Sequence, residues 1–257
     1  MLVLLSCAKT MSAVSKVKVP LTTSPRFQKE AAEIALQMSQ FSVDELERLL
    51  RVNAKIAVEN YKRYQAFHAE ATPELPALLA YTGIVFKRLN PKDFSVEDFG
   101  YAQEHLRLTS FCYGLLRPLD VIRAYRLEGD VVLPELGNQT LFSYWRSRLT
   151  DTFIEDIRSA GGILCNLASD EMKSLFDWKR VESEVRVVTP EFHVWKNGKL
   201  ATIVVYTKMS RGEMTRFILK NKIGNPEELK GFSWEGFEFD ESFSDERKLV
   251  FINGMGE

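Results

Sequence analysis

Along the chain the apolar positions change period several times, and each change marks an element. Met1 to Leu5 form an uninterrupted apolar run, the pattern of a strand covered on both faces, and Ser6, Cys7, Ala8, Lys9 and Thr10 break it with a lysine just past the strand end. A basic, Thr/Ser-rich, aperiodic stretch over 16–25 predicts a loop leading into a helix from about Arg26 to Ser39. Ser42 with Glu45 three residues later is a capping box, and Leu46, Leu49, Leu50, Ala54, Ala57 and Tyr61 follow at helical spacing. The apolar stretch from Pro76 to Phe86, interrupted by Tyr81, Thr82 and Gly83, predicts a buried strand ending in a polar turn.

Ser95 to Asp98 is a second capping box, opening a helix through Leu106 toward Tyr113. The Arg117-Pro118 step ends it, because proline disfavours helical geometry in the residue before it. The segment from Arg123 to Leu133 reads as extended. From Thr140 to Ala160 a helix is expected, with Leu141, Tyr144, Trp145, Leu149, Phe153 and Ile157 on one face. Gly161 and Gly162 stop it, Ile163 to Leu167 is a buried-strand run, and Ser169, Asp170 and Glu171 stand where the next helix begins. Alternation from Val185 to Tyr206 around Asn197 and Gly198 predicts a hairpin, and a last strand lies near Leu249 to Ile252. Without repeats, low-complexity tracts or a linker, this sums to one domain over residues 1–257. Its class is α/β (mixed α+β), with a mixed central sheet flanked by helices.

Composition agrees with a packed globular chain: of 257 residues, 45% are apolar and 27% charged. A net charge of −1 gives no overall attraction for polyanions, so any nucleic-acid surface has to be local. Cys7, Cys112 and Cys165, odd in number and in apolar surroundings, read as free thiols of a reducing compartment, and hence of the cytoplasm. The apolar start is too short for a signal segment or a membrane span.

Two constellations carry candidate chemistry. The first, at about 210–232, reads as helix-hairpin-helix-like. Ser210 and Glu213 form a capping box, Met214, Phe217 and Ile218 face inward, and Arg216 and Lys220 fall on the opposite face. Lys222, Ile223 and Gly224 make a tight link, and Asn225 and Pro226 start a second helix. Lys208, Arg211, Arg216, Lys220 and Lys222 then suit the phosphate backbone of double-stranded DNA, although Glu213, Glu227 and Glu228 also fit an ordinary solvated face. The second constellation gathers Lys9, Arg117, Arg126, Glu128, Ser169, Asp170, Glu171 and Arg211 near strand ends. If these converge, the cations hold a phosphate or carboxylate while a carboxylate moves protons, as in an enzyme acting on a nucleotide or nucleobase; ion pairs and helix caps are the structural alternative. His68, His105 and His193 lie far apart and no Cys-x-x-Cys occurs, so no metal site is expected. No cofactor-binding loop is present, and nothing in the residues speaks to oligomeric state.

Taken together, several blocks resemble the YaaA family of peroxide-stress proteins. They are Ser6 to Thr10, Tyr81 to Gly83, Ser110 to Asp120, Tyr125 to Glu128, Leu141 to Trp145, Asn166 to Glu171, Lys208 to Ile218, and Gly231 to Phe239. The resemblance implies a cytosolic protein induced by hydrogen peroxide that limits free iron and protects DNA, with a positive cleft and a helix-hairpin-helix that binds double-stranded DNA. The chain departs from the family's usual residues at Cys7 (proline), Phe86 (tyrosine) and Met172 (an aromatic).

Overall fold

Strand β1 (Leu2–Leu5) lies at the heart of an eight-stranded mixed sheet. Its neighbours β3 (Leu106–Ser110) and β8 (Ile163–Asn166) both run parallel to it, in register Leu4↔Arg107 and Leu4↔Asn166, which is why all four of its residues are fully buried and the apolar run has no gap. The computed structural model describes residues 1–196 and 198–254. The sheet extends beyond β3 to antiparallel β4 (Gly114–Leu116), and beyond β8 to β9 (Arg186–Lys196), then β12 (Lys248–Asn253) and antiparallel β11 (Phe237–Phe239). Strand β10 (Lys199–Ala201) pairs antiparallel with β9. Asn197 of the expected hairpin turn lies outside the described residues.

Helices cover the sheet and the rest of the chain. They are α1 (Gln28–Met38), α2 (Val43–Leu50), α3 (Ala54–Ala66), α4 (Ala77–Ala80), α5 (Ile84–Leu89), α6 (Val96–His105), α7 (Leu141–Ser159), α8 (Asp170–Lys173), α9 (Trp178–Glu184) and α10 (Val204–Asn221). Short pairings join β2 (Leu75–Pro76) to β5 (Val121–Ile122), and β6 (Val132–Leu133) to β7 (Gln139–Thr140). Helix α7 matches its predicted span and buries the predicted face, with Thr140 capping Ser143 N–H. Among the described residues no helix is long and apolar enough to cross a membrane.

Four expectations are corrected. The apolar stretch from Pro76 to Phe86 forms two short helices, not a strand, because Ala77 to Tyr81 are buried on every side and their pattern carries no period to separate the two. The helix opened by Ser95 stops at His105, where Leu106 pairs with Val3 and the chain passes from helix to strand without a breaker. The helix from Ser42 divides at Arg51, whose φ of 52° ends α2, and Asn53 caps α3. Helix α10 starts at Val204, so Ser210 is buried inside it and caps nothing.

Helix α10 packs against α5 at a point where Gly212 is required: a Cβ there would sit 2.3 Å from Val85 O and 2.8 Å from Arg88 Cβ. Gly212→Ala is therefore expected to destabilise the fold by about 2 kcal/mol. Urea unfolding checks this, and an unchanged midpoint would mean that the two helices are free to separate.

Candidate active site at the strand ends

Because β1, β3 and β8 are parallel, their C-terminal ends open on one edge, and β1 is the strand from which the sheet proceeds in both directions. A crevice is expected at such a switch point. The loop Ser6 to Thr10 is held there by the Cys7 N–H bond to Thr109 Oγ1 at 3.2 Å and by Ser6 Oγ, which accepts Ser169 N–H at 2.9 Å. Leu167 N–H returns to Leu4 O at 3.0 Å, bringing the start of α8 alongside. Gly83 permits the approach of α5, since a Cβ would lie 2.8 Å from Ala8 Cβ. The result is a cavity of about 320 Å³ walled by these loops, α5 and α10.

Its charged groups come from distant parts of the chain. Lys9 Nζ donates to Glu128 Oε2 at 2.8 Å, with Lys9 63% exposed and Glu128 only 6%. The Arg126 guanidinium stands 3.6 Å from Glu128 Oε1, and its Nη1 donates to Lys9 O at 3.5 Å. Buried Glu128 thus orients both cations from behind, while Lys9 and Arg126 line the cavity. Lys208 and Arg211, one turn apart on α10, line it from the other side, together with Ser169 and Glu171.

Arg211 is the anomaly. Half-buried, it forms no ion pair among the described residues, and its Nε is buried without a hydrogen-bond acceptor. Burial lowers its pKa, and the field of Asp170 only partly opposes that. Arg126 Nε is likewise buried and unbonded. A guanidinium left uncompensated at a cavity wall is poised for an anion that supplies the missing acceptors.

The cavity is unsuited to thiolate chemistry. Burial pushes the Cys7 thiol up to about 12, a hydrogen bond with Thr109 opposes this, and the charges of Glu171 and Glu128 add to the rise, so the thiol is neutral at physiological pH. Phe86, Phe111, Tyr125 and Met172 supply an apolar wall. Behind it, buried hydroxyls run from Tyr81 to Tyr125 (2.8 Å) and on to Ser110 (2.7 Å). Local spacing carried no signal for this wall. Cys7, Phe86 and Met172 all line the cavity.

Other candidates lie elsewhere. Arg117 binds buried Asp120 at 2.8 Å and donates to Ser24 O at 3.0 Å, bracing a loop instead of reaching the cavity. Asp170 is exposed and paired with Lys173 at 2.7 Å, whose hydrogen bond lowers its pKa. In the C-terminal unit, α10 ends at Asn221, Lys222 (φ 56°) turns the chain, and Asn225 caps a short 3-10 helix, Pro226–Gly231. Arg216 grips Asp93 at 2.5 Å and also donates to Asn90 O at 2.8 Å. Lys220 reaches Asp98 Oδ2 at 2.8 Å, and Lys222 bonds the other oxygen of the same carboxylate. Burial works against ionisation of Asp98, yet the bonds from Lys220, Lys222 and Ser95 N–H prevail and hold its carboxyl well below the usual range. Among the described residues no cluster of three His, Cys, Asp or Glu could hold a metal ion.

A family model described as peroxide stress protein YaaA matches residues 1–243. Over 257 residues, 100% of both chains, the sequence is 98% identical to a UPF0246 protein of Bacteroides thetaiotaomicron and 78% identical to one of Bacteroides fragilis. A UPF0246 protein of Crocosphaera subtropica is 37% identical over 253 residues, 98% of this chain and 100% of the other.

Proposed function

The chain belongs to the peroxide stress protein YaaA family, and from that premise we propose that its work in the peroxide response is done by the strand-end cleft acting on DNA. Lys9, Arg126, Lys208 and Arg211 take the phosphate groups, with the cytoplasm as the setting, in keeping with three free cysteines. Protection of DNA and limitation of free iron would be the physiological outcome. The observation that carries this reading is the uncompensated Arg211 guanidinium facing the cavity.

Lys9 and Lys208 are the exposed members, so both are exchanged for glutamine, which keeps a hydrogen-bond donor toward Glu128 and leaves Arg126 as its cation. Fluorescence anisotropy on duplex DNA across a salt series should show weaker binding to all sequences alike. The salt slope should fall by about 2, one unit for each phosphate that no longer meets a cation. An unchanged slope removes the cleft from the interface.

A second reading places DNA on the C-terminal unit. The tight link at Lys222 to Asn225 and the exposed Lys230 favour it, although Arg216, Lys220 and Lys222 are already bound to Asp93 and Asp98, and Lys230 is paired with Glu227 at 2.5 Å. In the same assay, loss of binding in Lys230→Gln with the Lys9/Lys208 variant unaffected would choose this surface.

A further inference from the structure

Resting on the cleft reading, we infer that the cavity takes a single nucleotide unit, its base against the apolar wall and its phosphate on the cations. Size sets the first limit: about 320 Å³ lies at the low end of the roughly 300–1,000 Å³ typical of small-molecule pockets, room for one monomer and not for a continuous strand. Depth sets the second. Arg211 is half-buried and the Phe86, Phe111 and Met172 walls are buried, so a duplex lying across the rim touches Lys9 and Lys208 but reaches the interior only with a unit that protrudes from the stack.

The lining sets the third. A pocket built for a bare inorganic anion needs donors on every side, whereas here Phe86, Phe111, Tyr125 and Met172 present apolar surface to the same space that the four cations border. That surface is favourably covered by a planar, weakly hydrated body, and aromatic side chains give every base a face to meet. Ser6 and Ser169, with hydroxyls 3.3 Å apart, lie where a base edge finds both donor and acceptor. A ligand that joins a flat heterocycle to a phosphate satisfies all three features, and a nucleoside monophosphate, free or extruded from a DNA strand, is that ligand.

Isothermal titration calorimetry with the nucleoside 5′-monophosphates, ribose 5-phosphate and the parent nucleosides tests this. One nucleotide should bind about 10-fold or more tighter than ribose 5-phosphate, the effect of a good stacking contact, and about 10-fold or more tighter than its own nucleoside, the effect of the phosphate on the cations. Lys208→Gln should weaken nucleotide and ribose 5-phosphate alike. Ile84→Asn, on the half-exposed rim of the apolar lining, should weaken the nucleotide several-fold and leave ribose 5-phosphate unchanged. Equal affinity for nucleotide and ribose 5-phosphate would overturn the base pocket while leaving an anion cleft in place. Absence of binding by either, with DNA affinity insensitive to Lys208→Gln, would overturn the cleft reading itself. A single-stranded oligonucleotide of the preferred base separates the sources: tighter binding than the free nucleotide points to an extruded unit, weaker binding to a metabolite, and both support the pocket.

Discussion

Arg211→Gln is expected to weaken binding of ribose 5-phosphate, or of any other phosphate that the cleft holds, by about 10- to 100-fold, the worth of a charge-assisted hydrogen-bonded contact. The same change should raise stability slightly, by roughly 0.5–1 kcal/mol, which is the opposite of what most half-buried arginines would show. The reason is the lack of compensation. In the free protein the guanidinium loses hydration at the cavity wall, its Nε finds no acceptor, and only the field of Asp170 stabilises its charge. Glutamine removes the buried charge along with the anion contact. Calorimetric titration and urea unfolding of one variant pair check both signs, and a loss of stability with unchanged affinity would make Arg211 a structural residue.

Asp98→Asn should have the largest effect on stability. Its carboxylate receives Lys220, Lys222 and Ser95 N–H, tying the end of α10 to the first turn of α6. Removing the charge leaves two lysines facing a neutral amide and is expected to cost roughly 3 kcal/mol at neutral pH, or about 10 °C in Tm. The pH dependence follows from the direction of the shift. The folded pKa lies below the unfolded value of about 3.9, so the contribution is complete above that value and is lost as pH falls toward the folded pKa. Wild type should therefore lose stability more steeply than the variant below about pH 4, and the gap between them should narrow with acid. A gap independent of pH would show that the loss comes from packing and not from the charge.

Much of the framework was legible because local pattern and burial coincide there. Strand β1, helix α7 and strand β8 each carry one unbroken signal, and parallel neighbours leave no polar face to confuse it. Elements that abut without a turn were not: α6 runs into β3 at Leu106, and the fully buried Ala77 to Ala80 gives no period.

The site divides along the same line. Lys9, Arg126, Glu128, Glu171 and Arg211 do gather: Lys9 and Glu171 because the ends of parallel β1 and β8 share an edge, Glu128 by its ion pair with Lys9, and Arg126 and Arg211 from the loop after β5 and from α10. Arg117 does not, since a carboxylate three residues on, Asp120, captures it locally. The pairing of the basic face of α10 was illegible for the opposite reason. The partners of Arg216 and Lys220 are Asp93 and Asp98, 123 and 122 residues away in sequence, a distance at which no spacing rule operates.

The central claim, that an anion is held in the strand-end cleft, is tested most directly by a crystal structure of the protein soaked with tungstate as a phosphate mimic. The strongest anomalous peak is expected in the cavity, within hydrogen-bond distance of Arg211 and facing Arg126. A strongest peak over Lys220, Lys222 or Lys230, with the cavity empty, would contradict the account.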